Sequence, residues 1–440
     1  MARKVIVIGA GMAGIMAAKT LQEAGVEVIV LEARDRVGGR THTNRSMGAS
    51  VDLGASWIHG YYGNPLTPLA RDLNIEMGYT DFLNRSITAV QAYNEDGSML
   101  NQADYADGLQ RGLGALYHAR GSELYDQPEQ ARTLKEWIEH GLPKPKGLNL
   151  AQEQGFKYHT LISSEYVSAA DWDELAWGHN ETYVSLPGGD ELVHGGGFNK
   201  ITDHLAHGLD IRVATPVHAI QTTSAGVRVV SSAETFECDQ VVVTVPLGVL
   251  KGGAIAFSPP LSAEKKKAIQ RIGFGAYEKL ALRFDKFYWP KDVQRFNYMS
   301  TGEPSLFHAW LNIGYYTGEP IIVAYHSGRR AQHINQLSDG DLLEQTLTVM
   351  QRIFGDNGFG EIPAPEQIVR TGWESDPFSQ GSYSFNHIDQ HKTDRRTLAQ
   401  PVGDRLFFAG EASHPAYYAT VHGAYETGIR AAREILRLDG

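Results

Sequence analysis

The junction where the apolar run Val5, Ile6, Val7 and Ile8 meets Gly9, Gly11 and Gly14 restricts the start of this chain to one kind of folding unit. An unbroken apolar run suits a parallel strand buried on both faces. Gly9 permits a tight turn, Gly11 lets the main chain approach a pyrophosphate with no Cβ in the way, and Gly14 lets the next helix pack against the strand. That helix, expected over 13–24, aims its N-terminal amides and dipole at the phosphates, with Met12 and Ala13 at its start. Gly25 closes it, 26–31 reads as a second strand, and Glu32 stands at the strand's tip against the ribose hydroxyls. A carboxylate there disfavours an extra ribose phosphate, so an adenosine diphosphate moiety is expected.

A second glycine turn follows at once. Ala33, Arg34, Gly38, Gly39 and Arg40 succeed the ribose-binding acid, and the paired glycines let backbone amides face another part of the same cofactor. Arg34 or Arg40 is placed to neutralise the pyrophosphate. The second turn favours a flavin over a nicotinamide.

The rest of the chain alternates between two patterns. Strands are expected at 211–217, 227–230 and 241–245, a glycine-rich opening at 195–197 leads into a helix, and 406–409 reads as a strand reaching Gly410 and Glu411. A helix starts near Val421, with Gly423, Ala424, Gly428, Ala431 and Ala432 permitting close approach to a neighbour. The expected fold is α/β, a Rossmann-like FAD-binding domain built from 1–60, 186–260 and 401–440. It is interleaved with an α+β substrate-binding domain from 61–185 and 261–400, the latter rich in aromatic strand segments.

Taken in order, these motifs resemble the flavin-containing amine oxidases, a family that includes monoamine oxidases, polyamine oxidases and lysine-specific histone demethylases. The resemblance rests on Gly9 to Gly14, Glu32, Arg36 to Arg40, Leu53 to Gly60, Gly275 to Lys279, Gly381 to Ser384, Phe408 to Glu411 and His422 to Ala424, and so spans nearly the whole chain. The Ser56 to Gly60 and Val421 to Tyr425 segments look more like the polyamine oxidase branch than the monoamine branch. The resemblance implies an FAD-dependent enzyme that removes hydride from the carbon beside an amine nitrogen, with dioxygen reduced to hydrogen peroxide. It also implies that Gly54, Ala55, Ser56, Trp57, Val217, Trp373, Gly410, Glu411, Thr420 and Val421 line the cofactor site. Val217 would meet the adenine through backbone atoms and Glu411 the ribityl chain.

Within the resemblance, Lys279 matches the lysine that holds a water near the reactive flavin nitrogen, and Tyr383 one wall of an aromatic cage around the amine. Strand alternation puts Lys279 and Ala281 on one face and Leu280 and Leu282 on the other without saying which face meets the cofactor. Trp57 and Trp373 are aromatic lining or ordinary packing. His59 binds the substrate nitrogen, orders water or is a satisfied structural histidine. Two positions depart from the monoamine pattern. Ser382 stands where a flavin-linking cysteine would be, so FAD is expected to be noncovalent. Thr420 occupies the second cage position, so a wider or more polar slot suited to elongated secondary amines is expected. An amino-acid oxidase would instead need a pocket arginine for the substrate carboxylate, with Arg283 and Arg295 as candidates. A third alternative is a flavin-bound interaction protein without turnover.

Composition bounds the partners. The net charge of −11 over 440 residues argues against nucleic acid and mildly favours cationic substrates. Asp171, Asp173, Glu174 and Glu181 are candidates to grip a distant ammonium, or form a solvated face. No run approaches a membrane span and no apolar leader precedes the first strand, so a cytoplasmic, membrane-free enzyme is expected. The lone Cys238 reads as a buried inert thiol. Asn44, Asn84 and Asn180 begin glycosylation-type triplets of little meaning without secretion. His387 and His391 are the one compact pair resembling metal ligands, and no metal is expected.

Overall fold

In this computed structural model, which describes residues 3–81, 89–120, 133–140, 142, 145–176, 183–301 and 306–439, the opening apolar run forms the strand Lys4–Ile8. Val5 and Val7 face one side of the strand and Ile6 and Ile8 the other, and all four are buried. This follows from the two-residue period of an extended chain placed at the centre of a sheet. Neighbours on both sides are parallel: Gln240–Val243 on one flank and Glu27–Leu31 on the other. Leu406–Phe408 and Asp210–Arg212 complete a five-stranded parallel sheet.

Counted along the chain, its strands lie fifth, fourth, first, second, third across the sheet. The order therefore reverses between the first strand and Gln240–Val243, which opens a crevice at their carboxyl ends. One face of the sheet packs on the helices Met12–Glu23 and Val421–Leu436. The other packs on a four-stranded sheet made of Val217–Thr222, Val227–Ser231, Thr235–Cys238 and Ala256–Ser258. Burial in that layer pushes the Cys238 thiol up to about 12, which keeps it protonated and inert.

A six-stranded sheet forms the second core. Its order is Gln367–Arg370, Tyr277–Arg283, Ile321–Ser327, Ala309–Asn312, Arg295–Met299, Val90–Asn94, antiparallel except for the last pair. Leu280 and Leu282 enter one hydrophobic cluster and Ala281 the other, so both faces are covered. Along the chain, strands of the two sheets alternate. Two small ribbons join them: Trp57–His59 with Asp190–Gly195 and Glu76–Thr80, and Gly273–Gly275 with Tyr383–Phe385.

The expected strand over 211–217 is instead two. Asp210–Arg212 ends the parallel sheet, and Val217 begins a strand of the four-stranded sheet. Between them Ala214 takes φ of 51°, and the amides of Ala214 and Thr215 donate to the carbonyls of Arg34 and Glu32. Propensity continued the strand, but pairing with the Glu32 turn broke it. Among the described residues no helix is long and apolar enough to cross a membrane.

Candidate active site

The crevice opens into a cavity of about 1150 Å³ that runs from the carboxyl ends of the parallel strands to one face of the six-stranded sheet. At its first end, Gly9 holds φ of 103°, and a Cβ there would meet the Thr244 hydroxyl oxygen at 2.8 Å. A Cβ on Gly11 would meet nothing within 4 Å, and Gly11 borders the cavity, so this is the open cradle that a pyrophosphate needs. Gly14 is set back from the cavity. Its Cβ would lie 1.8 Å from the Gly9 carbonyl oxygen, so it serves the packing of helix on strand.

The second glycine turn is stitched to the first. The Gly38 amide donates to the Ala10 carbonyl at 2.8 Å, and a Cβ on Gly39 would fall 3.3 Å from the Gly11 Cα. Buried Glu32 accepts from the amides of Ala10 (2.7 Å) and Arg34 (2.8 Å), which fixes its carboxylate at the cavity wall. Met12, Ala13, Ala33 and Val217 border the same end. Both candidate arginines border it with carboxylate partners already in place: Arg34 with Asp376 at 2.8 Å and Arg40 with Glu411 at 3.0 Å.

Midway, Gly410 and Glu411 meet the start of the helix Val421–Leu436. Burial pushes the Glu411 carboxyl up, but Arg40, the Ser384 hydroxyl, Arg395 and the Ala419 amide outweigh it and hold the group below the usual range. Thr420 caps the helix, accepting from the Gly423 amide and donating to the Tyr417 carbonyl, so its hydroxyl proton is committed. Thr420 and Val421 border the cavity beside Gly54, Ala55 and Ser56.

At the far end Lys279 is buried on the cavity side of the strand Tyr277–Arg283. Its Nζ donates to the carbonyls of Asp52 (2.7 Å) and Gly54 (2.6 Å) and to the Ser56 hydroxyl (2.6 Å). An ammonium has three protons, so each is taken by the protein. Burial lowers the Lys279 pKa and Asp52 opposes this. Asp52 is itself pushed up by burial, against hydrogen bonds from Thr43 and the Phe198 amide and the charge of Lys279. The lysine thus ties the segment leading to Trp57 onto the six-stranded sheet.

Tyr383 enters through its pairing with Gly275, and its hydroxyl donates to the Tyr166 carbonyl at 2.9 Å. Trp373 is buried and donates to the Leu53 carbonyl, while Trp57 donates to the Thr80 hydroxyl. His59 sits half-exposed at the rim with Asp190 at 2.9 Å. Ser382 accepts from the Tyr277 amide and donates to the Tyr277 carbonyl, a strand-tying role for an oxygen that cannot form a thioether.

Other candidates fall elsewhere. Arg283 does not border the cavity. Its guanidinium pairs with Glu319 at 2.8 Å and donates to the Met47 carbonyl, because the register turns it toward the far end of the sheet. Arg295 does border it and donates to the Asp81 carbonyl. Asp171, Asp173 and Glu174 lie away from it. Asp171 is buried rather than solvated, accepting from the Arg329 amide, and Asp173 pairs with the Arg329 side chain. Glu181, Asn84 and Asn180 lie outside the described residues. His387 and His391 occupy an irregular segment, and the described residues contain no group of three His, Cys, Asp or Glu side chains able to hold a metal.

Tyr158, Tyr166, Tyr183, Tyr277, Tyr325 and Tyr418 also border the cavity and escaped the sequence reading. Tyr277 carried a signal, since it shares a strand face with Lys279. Tyr325 and Tyr166 did not, because their placement depends on strand register and on a helix crossing.

A glycine-cradled crevice continuous with a lysine and aromatic wall is a shape suited to a flavin-dependent oxidoreductase. The chain belongs to the flavin-containing amine oxidoreductase family, whose model matches residues 12–436, and whose members use FAD, usually bound noncovalently. It is 34% identical to Polyamine oxidase 2 of Arabidopsis thaliana over 98% of this chain and 87% of that protein. It is 33% identical to Polyamine oxidase 4 of Oryza sativa subsp. japonica, over 98% and 88%. It is also 35% identical to Lysine-specific histone demethylase 1 homolog 2 of Arabidopsis thaliana, but spans 58% of that longer protein. The cradle accommodates the cofactor on its own evidence, since Gly11 leaves open space where a side chain would block phosphate.

Proposed function

We propose that this protein is an FAD-dependent amine oxidase acting on a polyamine or related secondary amine. The amine, dioxygen and water give an aldehyde, the shortened amine and hydrogen peroxide. Bound FAD supplies the acceptor for the hydride lost from the carbon beside nitrogen. The chain supplies the rest. Residues 1–60, 186–260 and 401–440 form the cofactor-binding unit, and 61–185 and 261–400 the substrate unit.

Glycines 9 and 11 and the helix Met12–Glu23 receive the pyrophosphate, Glu32 the ribose, and Glu411 with Arg40 the ribityl region. Trp373 and the Val421 helix start would hold the ring system, and Tyr383 would offer a ring face to the amine. Because Lys279 has each ammonium proton engaged, it orders a water through the Ser56 hydroxyl rather than directly. Burial of this wall excludes bulk solvent from the imine until it is released. The observation that carries the reading is the continuity of cradle, Lys279 and aromatic wall within one cavity.

A second reading, oxidation of an amino acid, draws on Arg295 at the cavity wall. Anaerobic bleaching of the flavin by spermidine, N-methylated amines, primary amines and amino acids separates the two. The expected result is fastest bleaching by a secondary amine. Bleaching by amino acids alone would replace the proposal with the second reading, and bleaching by nothing would leave a flavin-bound protein without turnover.

A further inference from the structure

Thr420 leaves Tyr383 without an aromatic partner across the amine position, yet the cavity is not short of rings. Tyr277 and Lys279 share one strand face, and the register places Tyr325 directly across from Lys279 on the neighbouring strand. The Tyr277 ring lies 5.7 Å from that of Tyr325 and 5.9 Å from that of Tyr383, and Tyr166 meets it edge-on at 6.1 Å. Trp57 extends the surface, 6.0 Å from Tyr325. These rings all border the cavity, forming a continuous corner instead of two facing walls.

The rings themselves are neutral, with the Lys279 ammonium 5.6 Å from the Tyr325 ring and 5.9 Å from the Trp57 ring. The Tyr383 hydroxyl is held by the Tyr166 carbonyl and the Tyr166 hydroxyl by the Tyr325 carbonyl at 2.8 Å, so these two rings are anchored to neighbouring backbone. Burial pushes the phenols of Tyr166, Tyr277, Tyr325 and Tyr383 up, so none becomes a phenolate at neutral pH.

Beyond the rings the cavity meets the helix Gln102–Arg120, which turns Leu109, Leu113 and Leu116 toward it at the spacing of one helical face, joined by Leu134. The carboxylates among the described lining residues are Glu32 and Glu411 in the cofactor cradle and Asp190 with His59 at the rim. A second ammonium carried into this arm would exchange water for leucine methyls, whereas an alkyl or aryl group would gain by the same transfer.

Resting on the amine-oxidation reading above, we propose that Tyr277 and Tyr325 complete the amine seat and that the leucine-lined arm selects secondary amines whose far end is uncharged and apolar. Of the two substrate classes in that reading, this favours the simpler secondary amines over polyamines.

The holoenzyme is tested by anaerobic stopped-flow bleaching with N-methylhexylamine, N-methylbenzylamine and N-methyl-1,6-diaminohexane at neutral pH. The apolar amines are expected to show apparent Kd values at least tenfold below that of the diamine. Tyr277→Leu and Tyr325→Leu should each raise Kd for the apolar amines at least fivefold. Leu113→Asp, on the helix and away from the reacting atoms, should shift preference toward the diamine. Retention of the flavin spectrum certifies the fold of each variant. Equal or better binding of the diamine by the unmodified enzyme, or unchanged Kd values in both tyrosine variants, overturns this inference while leaving amine oxidation standing. Bleaching by none of the three amines, nor by the wider panel, removes the underlying reading as well.

Discussion

Lys279 carries more of the site than a surface charge could. With Asp52, Gly54 and Ser56 each taking one proton, it fixes the segment that delivers Trp57. Lys279→Met should slow flavin reduction or reoxidation at least tenfold, about 1.4 kcal/mol in barrier, measured by stopped-flow absorbance. Unchanged rates in both half-reactions would strip the residue of its role. Glu411 makes a pH-dependent contribution. Its carboxyl lies below the ordinary glutamate value of 4.5, so the stability it lends is complete above that pH and is lost as pH falls through the lower folded value. Thermal midpoints between about pH 3 and about pH 6 should therefore fall more steeply in the native protein than in Glu411→Gln. The residue scale also marks where reading the chain stops. Glu32 and Lys279 were recognisable from motif position, whereas Tyr277, on the same strand face as Lys279, was not picked out. Whether that strand face met a cavity or a core depended on what packed against it.

Among the elements, the helices Met12–Glu23 and Val421–Leu436 pack in close contact. A Cβ on Gly428 would lie 2.2 Å from the Ala13 carbonyl oxygen, so the second helix can seat only because that position is bare. Gly428→Val should cost about 1–3 kcal/mol by overpacking and weaken FAD retention, because Ala13 stands in the first turn of the helix proposed to receive the pyrophosphate. Denaturant unfolding and flavin release on gel filtration check this, and an unaltered midpoint would mean that the helices can separate without cost. The small residues along 421–436 made this approach readable in advance. The break at Ala214 was not readable, since local preference favoured continuing the strand and hydrogen bonds from a segment far away in sequence ended it.

Across the whole molecule, both sheets contribute walls to one cavity, so cofactor binding couples their stability. At free FAD a hundredfold above its Kd, the linkage is about 2.7 kcal/mol, and the thermal transition of the apoprotein should rise on FAD addition as one cooperative step. A transition indifferent to FAD would contradict a shared site. The chain by itself determined the cradle, since the strand, the paired glycine turns, the helix start and Glu32 act over short stretches in which backbone sterics and hydrogen bonding decide the geometry. The aromatic corner, the leucine arm and the exclusion of Arg283 from the cavity were decided only in three dimensions. Tyr166, Tyr277, Tyr325 and Tyr383 come from four separate segments, and which of their faces meet depends on strand register and helix crossing, which no local pattern specifies.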